Sequence, residues 1–157
     1  MSEEQSYLRE AIALARANIG KGGRPFGALV VRDGAVIATG VNEIHATGDP
    51  TAHAEMSAIR AASRALGSPD LGGCVVYASG HPCPMCMAAM RLAGVTGVAY
   101  AYSNEDGAPF GLSTAALYEE LARPFAEQSM DIRYLPVRPE GQPDLYAEWA
   151  QARNMQA

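Results

Sequence analysis

The chain has 157 residues, of which 48% are hydrophobic and 18% are charged, and its formal net charge at pH 7 is −5. This length predicts one domain with an ordinary core, and the composition excludes extensive disorder. The acidic balance argues against a dedicated nucleic-acid binder, no apolar run is long enough to span a membrane, and three cysteines are too few for a disulfide framework. Because the first five residues are polar and acidic, we expect no leader and a cytoplasmic location with reduced thiols.

Hydrophobic periodicity and turn signals predict ten elements in the order αββαβαβαβα. They are a helix over 2–19, strands over 26–31 and 35–41 joined at Asp33-Gly34, a helix over 51–66, a strand over 74–78, a helix over 84–93, a strand over 95–102, a helix over 113–122, a strand over 132–137 and a helix over 145–154. The first helix is expected to bury a stripe formed by Leu8, Ile12, Ala15 and Ile19.

Strands alternate with helices after the first hairpin, so the later strands need crossover connections. This order predicts an α/β fold: a three-layer α/β/α sandwich around a mixed five-stranded sheet, with all of residues 1–157 in a single domain. Ligands of such sheets bind outside the strand ends, near helix N-termini. Two short motifs fall at such positions.

The two motifs together have the composition of a zinc site. His53-Ala54-Glu55 lies in the first turn of the helix predicted to begin near Thr51, and Pro82-Cys83-Pro84-Met85-Cys86 follows the strand over 74–78. One imidazole and two thiolates suit tetrahedral Zn²⁺, and a helix N-terminus lowers the pKa of a thiol. We expect one Zn²⁺ per chain, held by His53, Cys83 and Cys86.

Three protein ligands leave one coordination position for a bound water or hydroxide, as in catalytic zinc sites. Glu55 is two residues from His53, so it should not bind the same ion. We predict that it is the catalytic proton carrier: hydroxide attacks an amino-bearing ring carbon, and Glu55 moves protons to the ring nitrogen and to the leaving amine.

Three other interpretations of these residues stay open. The Cys-x-x-Cys pair alone is compatible with a redox site. A closed structural zinc site needs a fourth ligand, and His81, His45 and Cys74 are the candidates. The third interpretation is that the two motifs occur together by chance and bind no metal.

Four stretches resemble the cytidine deaminase-like superfamily of zinc deaminases, whose H-x-E…P-C-x-x-C signature is a documented one. They are residues 24–28 (RPFGA), 40–42 (GVN), 49–55 (DPTAHAE) and 82–86 (PCPMC). Within the superfamily, three features look most similar to bacterial guanine deaminases of this fold: the Pro25-Phe26-Gly27-Ala28 stretch, the Pro-Cys-Pro-Met-Cys sequence of residues 82–86 and the aromatic C-terminal helix with Trp149. The resemblance implies a zinc-dependent hydrolase that releases ammonia from a small nucleobase, with guanine to xanthine as the leading expectation, and a homodimer.

The same resemblance implies three substrate contacts. Asn42 matches an asparagine whose amide holds the edge of the base, the N–H of Ala54 matches a contact near the zinc, and Phe26 matches an aromatic wall. From the residues alone, Asn42 is also compatible with an Asx turn and Phe26 with a core position.

Two positions depart from the family pattern. His81 stands where the family usually has Glu, and Gly111-Leu112-Ser113-Thr114 stands where the guanine deaminases have Gly-Phe-Asp-Asp. A carboxylate accepts two N–H bonds from guanine, whereas a hydroxyl carries no charge. We include His81 and Thr114 among the candidate substrate-binding residues, and Glu140, Asp144 and Glu148 as other possible sources of an acid.

Three alternative functions remain at this stage: a deaminase of cytosine or another heterocycle, a tRNA adenosine deaminase, and a non-catalytic zinc-stabilised module. An RNA-editing enzyme needs a basic surface, but residues 144–157 hold two acids and one arginine. We therefore expect neither a nucleic-acid nor a membrane partner. The presence of the predicted proton carrier Glu55 favours an enzyme over a non-catalytic module.

Overall fold

The structure is a computed structural model that describes residues 1–156. It contains two compact units, residues 1–123 and the residues from 124 onward. The second unit has a 3₁₀ turn over Phe125–Glu127 and helix α7 over Leu145–Gln156, where the Arg153 guanidinium lies 4.7 Å from the Trp149 ring centroid. One domain over residues 1–157 stays a prediction. Within residues 1–156 we find no helix with the length and apolar character needed to cross a bilayer.

The first unit contains four strands and six α-helices within residues 1–123. In chain order they are α1 (Glu3–Gly20), β1 (Gly27–Arg32), β2 (Ala35–Val41), α2 (Ile44–Thr47), α3 (Ala54–Leu66), β3 (Cys74–Gly80), α4 (Pro84–Ala93), β4 (Gly97–Tyr102), α5 (Asn104–Gly107) and α6 (Ala115–Leu121), with a 3₁₀ turn over Ala108–Phe110 between α5 and α6.

The sheet has the order β2-β1-β3-β4 and is mixed, as predicted. β1 pairs antiparallel with β2 and β3, whereas β3 and β4 are parallel. The β1–β2 connection is the predicted two-residue turn, with positive φ at both Asp33 (51°) and Gly34 (75°). Positive φ at both positions matches the twist of the flanking strands, which is why Asp-Gly is favoured there.

Strand β1 shows the three layers most directly, because successive side chains point to opposite faces of the sheet. Ala28 and Val30 pack in the cluster that contains α3 and α4, whereas Leu29 and Val31 pack in the cluster that contains α1. The α/β/α arrangement is therefore confirmed.

The buried face of α1 is rotated from the predicted stripe. Its buried residues are Ala11, Ala15 and Asn18, whereas Ile19 is 54% exposed. The small side chains allow α1 to lie close to the sheet, since a Cβ on Gly27 would lie 2.4 Å from the carbonyl oxygen of Ala11.

The predicted fifth strand is wrong, and the described residues form four strands. Residues 132–137 have no strand pairing. The alternating apolar pattern of this stretch satisfies only one requirement of a strand, because the backbone also needs a hydrogen-bonded neighbour. Pro136 lies within the stretch and has no N–H to donate to a ladder.

Gly40 fixes the distance between β2 and the start of α3. A Cβ there would lie 2.4 Å from the carbonyl oxygen of Ala54 and 2.5 Å from the amide nitrogen of Ala58. Both neighbours are backbone atoms, so no side chain is available to move aside. The helix start that follows His53 therefore depends on glycine at position 40.

We expect Gly40→Ala to lower the free energy of unfolding by about 1–3 kcal/mol, because the added methyl group must displace α3. The measurement is urea denaturation of the zinc-loaded protein. Gly20→Ala is the matched control, since a Cβ at Gly20 meets no atom within 4 Å. Equal denaturation midpoints for the two variants would contradict this account.

Candidate active site

His53 is the N-cap of α3, and the helix begins at Ala54 rather than near Thr51 as predicted. The difference has a local cause. The backbone N–H and the hydroxyl of Thr51 both donate to the Asp49 carboxylate at 2.8 Å, and the Thr51 hydroxyl accepts from Arg60 at 3.1 Å. Thr51 is thus held in an Asx-type turn and does not cap the helix.

Cys83 occupies the equivalent position in α4, where it is the N-cap and Pro84 begins the helix. Proline is favoured in the first turn because its φ is already helical and its missing N–H would have no partner. Cys86 then lies in the first turn, fully buried. The Tyr118 hydroxyl donates to the Pro82 carbonyl, which ties α6 to this turn.

The two helix starts bring three ligand atoms together. His53 Nδ1 lies 3.4 Å from Cys83 Sγ and 3.7 Å from Cys86 Sγ, and the two sulfurs are 3.6 Å apart. Tetrahedral zinc with Zn–S of about 2.3 Å and Zn–N of about 2.0–2.1 Å requires sulfurs about 3.8 Å apart and a sulfur–nitrogen separation of about 3.6 Å. The residues therefore fit a zinc ion.

The electrostatics of the site also favour a cation. Contact with the Cys86 side chain, together with that of His53, lowers the pKa of Cys83 to about 4. The same sulfur contact and burial raise the pKa of Cys86, since a second thiolate beside the first is repelled. Contact with Cys83 raises the pKa of His53. A divalent cation removes this conflict, because it binds both sulfurs as thiolates.

Glu55 lies beside the ligand group but is not part of it. Among the described residues, the group whose ligand atoms all lie within 4.8 Å of one another comprises His53, Cys83 and Cys86. The Glu55 side chain is 5% exposed, and burial raises the pKa of its carboxyl. A carboxyl with a raised pKa both accepts and donates protons more readily near neutral pH.

The candidate fourth ligands of a closed zinc site lie elsewhere. His81, His45 and Cys74 are all outside the ligand group found within residues 1–156. The His81 ring instead packs between Tyr100 and Tyr118, with ring centroids 4.8 and 5.4 Å away. This arrangement favours a zinc site with an open position over a closed structural one.

The ligands open onto a cavity of about 260 Å³. It brings together Glu55, His53 and Cys83 with every predicted substrate contact. Its walls are formed by Arg24, Phe26, Asn42, His53, Ala54, Glu55, His81, Cys83, Gly111, Leu112, Ser113 and Thr114. Arg24, Gly111, Leu112 and Ser113 were not predicted as site residues. Pockets for drug-sized ligands are about 300–1,000 Å³, so this cavity suits a single small ring.

Asn42 makes the Asx turn and also lines the cavity, and its contact with a substrate stays a prediction. Its side-chain oxygen accepts from the Ile44 N–H at 3.1 Å, as in an Asx turn. This bond orients the amide, because only the oxygen accepts a backbone proton. The Asn42 side-chain nitrogen makes no hydrogen bond to any described residue, although the residue is only 1% exposed and lines the cavity.

Asn18 holds the Asn42 loop, and the sequence reasoning missed it. Its buried side-chain nitrogen donates to the carbonyls of Arg24 at 2.8 Å and Asn42 at 2.9 Å. The end of α1 is thereby joined to two walls of the cavity. A signal was present, since Asn18 follows Ala11 and Ala15 at helical spacing, and a polar residue on a buried stripe requires hydrogen-bond partners.

Phe26 is half-buried, and it combines a core role with a wall of the cavity. Its ring lies against Gly80, where a Cβ would approach Phe26 Cε1 to 3.0 Å. Glycine at the end of β3 therefore sets the position of the ring. Ala54, at the other side of the site, is the first residue of α3, and its N–H has no intrahelical acceptor.

The family comparison agrees with this geometry. Residues 1–102 match the family model for the cytidine and deoxycytidylate deaminase zinc-binding region. The chain belongs to this deaminase family. The resemblance expected from the sequence is confirmed, and the protein is a zinc-dependent deaminase, a hydrolase of C–N bonds.

Relatives within the family include enzymes that act on different substrates. The chain is 41% identical to the guanine deaminase of Bacillus subtilis over 127 residues, which cover 80% of this chain and 81% of that protein. It is 37% identical to the tRNA-specific adenosine deaminase of Aquifex aeolicus over 97 residues, covering 62% and 64% of the two chains. The X-ray structure of the Bacillus subtilis guanine deaminase matches with a TM-score of 0.81 at 37% identity, over 96% of this deaminase and 93% of that chain.

We expect Cys86→Ala to reduce the zinc content of the purified deaminase well below one ion per chain, because two ligands hold zinc far less tightly than three. The measurement is metal analysis after gel filtration. Cys74→Ala is the matched control, since this buried thiol in β3 is outside the ligand group and should leave the zinc content unchanged. Equal zinc contents in the two variants would contradict the ligand assignment.

Proposed function

We propose that this deaminase converts guanine to xanthine, releasing ammonia. The observation that carries the proposal is the cavity of about 260 Å³, which is lined by two of the metal ligands, His53 and Cys83, together with Glu55, Asn42 and Phe26. The similarity to the guanine deaminase of Bacillus subtilis over four-fifths of both chains supports the choice of guanine. The size of the cavity supports a free base over a larger substrate.

The cavity suits an uncharged ring. The side-chain nitrogen of Asn42 is a donor, and it fits a ring carbonyl such as the one guanine carries. The half-buried ring of Phe26 offers a flat apolar surface for stacking. The N–H of Ala54 and the side chains of His81 and Thr114 are the remaining proposed substrate contacts.

Glu55 is the proposed catalytic residue. Zinc held by His53, Cys83 and Cys86 would act as a Lewis acid and lower the pKa of water, which makes water a nucleophile near neutral pH. The Glu55 carboxylate accepts a proton from the attacking water and donates it to the ring nitrogen next to the amino-bearing carbon. A second proton carried by the same carboxyl goes to the amine, the C–N bond breaks, and ammonia leaves.

We expect Glu55→Gln to keep zinc and to lose about 10²–10⁴-fold in kcat, because an amide does not carry protons. Ammonia release and metal content are measured on the same sample. Glu10→Gln, on the exposed side of α1, is the control and should keep the wild-type rate. A near-normal rate in Glu55→Gln at full zinc content would remove this residue from the mechanism.

The substrate is tested by ammonia release from guanine, cytosine, an amino-substituted triazine and a tRNA anticodon hairpin, at fixed zinc content. We expect the highest kcat/KM for guanine, with xanthine formed in equal amount. Turnover of cytosine alone would overturn guanine and keep the chemistry. Salt-sensitive turnover of the hairpin alone would assign the chain to tRNA editing, since phosphate contacts weaken with salt.

The homodimer and the cytoplasmic location expected from the sequence stay predictions. The location is supported by the ligand chemistry, because cysteine thiolates need a reducing compartment to remain available for metal. Sedimentation at micromolar concentration measures the oligomeric state.

A further inference from the structure

The residues that line the cavity beside the metal ligands differ in their exposure to solvent. Glu55, Asn42 and Ala54 are buried, with exposed fractions of 5%, 1% and 0%. Arg24 and Ser113 line the same cavity and are exposed. The cavity therefore has a closed end beside Glu55 and an open end beside Arg24.

Arg24 brings a positive charge to the open end. Among the lining residues within 1–156 it is the one arginine or lysine. Its guanidinium forms no ion pair and donates no hydrogen bond to another residue in that range. Contact with Cys83 raises the pKa of His53 and the charge of Arg24 acts in the opposite direction, so this charge is felt at the ligand ring. The five N–H donors of the guanidinium are available to a bound ligand.

The backbone of Arg24 is fixed relative to the cavity. Its carbonyl accepts from the Asn18 side-chain nitrogen and from the Phe26 N–H, both at 2.8 Å. Pro25 follows, and its ring restricts the backbone between Arg24 and Phe26. The arginine side chain therefore starts from a defined point next to the aromatic wall, which favours a specific contact over a diffuse one.

The chemistry of guanine decides which of its edges meets Arg24. The amino-bearing carbon belongs to the six-membered ring, and it must lie beside Glu55 at the closed end for the reaction to occur. The five-membered ring is fused to the opposite side, so it points toward the open end. There the ring nitrogen N7 and the carbonyl oxygen O6 form one edge with two acceptors. Arginine is the side chain that most commonly binds this edge, with two parallel N–H donors.

We propose that Arg24 is a specificity-determining residue whose guanidinium donates hydrogen bonds to N7 and O6 of guanine. The proposal rests on the proposed function, since it takes guanine as the ring that is deaminated. The carbonyl oxygen has two lone pairs, so it accepts from Arg24 and from the Asn42 amide together. Cytosine has no five-membered ring and no N7, so this contact selects the purine.

The experiment compares Arg24→Met with the wild-type enzyme, both zinc-loaded, on guanine and on 7-deazaguanine, in which C–H replaces N7. We expect Arg24→Met to raise KM for guanine about tenfold with kcat largely kept, because a paired contact to the base is lost. KM for 7-deazaguanine should rise far less, since the wild type makes only part of the contact with it. Tm should stay unchanged, because the arginine side chain is exposed.

Two further variants separate the paired contact from the effect of charge. Arg24→Lys keeps the charge without the planar pair of donors, and it should recover only part of the affinity for guanine. Arg9→Met removes the same charge from an exposed position on α1 outside the cavity lining, and it should leave KM for both purines unchanged. If Arg24→Lys restores the wild-type KM, or if Arg24→Met raises KM equally for both purines, Arg24 acts by charge alone and the proposal is overturned.

An arginine at the open end of a cavity also suits a phosphate group. Guanosine monophosphate is therefore measured beside guanine. If Arg24→Met weakens the nucleotide and leaves KM for guanine unchanged, the arginine binds phosphate and the proposed contact with the base is wrong.

The failure of this proposal and the failure of the proposed function give different results. If the wild type forms xanthine and Arg24→Met has the same KM for guanine, the function holds and the contact is overturned. If the wild type forms no xanthine, guanine is not the substrate. Equilibrium binding of guanine and 7-deazaguanine to the wild type then tests the contact, and equal affinities for the two overturn it.

Discussion

The site depends on two helix N-termini that come together, one of them directly after the central strand β3. His53 and Cys83 are the N-caps of α3 and α4, so each side chain leaves its helix at the end that carries a partial positive charge. Three ligand atoms come within 3.4–3.7 Å of one another as a result. Two thiols at this short distance do not both lose their protons unless a cation is present. The ligand set therefore depends on its metal ion.

Contacts from the rest of the fold hold the two helix starts and the cavity walls in place. Glycine at position 40 lets the backbone of β2 touch that of α3, and the Pro82 carbonyl is held by the Tyr118 hydroxyl of α6. On the opposite side, the buried amide of Asn18 joins two walls of the cavity through the carbonyls of Arg24 and Asn42. Ligand loops anchored to several elements lose little entropy when a substrate binds.

The lining of the cavity contains one carboxylate and several other polar residues. Glu55 is the one carboxylate among its lining residues, and burial raises the pKa of that carboxyl. The other polar lining residues are the neutral Asn42, Ser113 and Thr114 together with Arg24 and His81, beside the ring of Phe26. Negative charge in the lining is thus concentrated at the cysteine ligand and at Glu55.

The sequence by itself determined most of the elements and the ligand set, because both depend on local chemistry. The predicted range of α4 is the observed one, the Asp33-Gly34 turn formed as expected, and His53, Cys83 and Cys86 are brought together. The sequence pattern left the start of α3 undecided, because Thr51 is compatible with a helix cap and with the local Asp49 turn, and in the turn its hydroxyl also accepts from Arg60. The tertiary structure decided that residues 132–137 form no strand, that the Asn18 side chain joins two walls of the cavity and that Thr114 lines it. Those outcomes depend on which backbone and side-chain groups become neighbours, and a periodic pattern carries no information about distant partners.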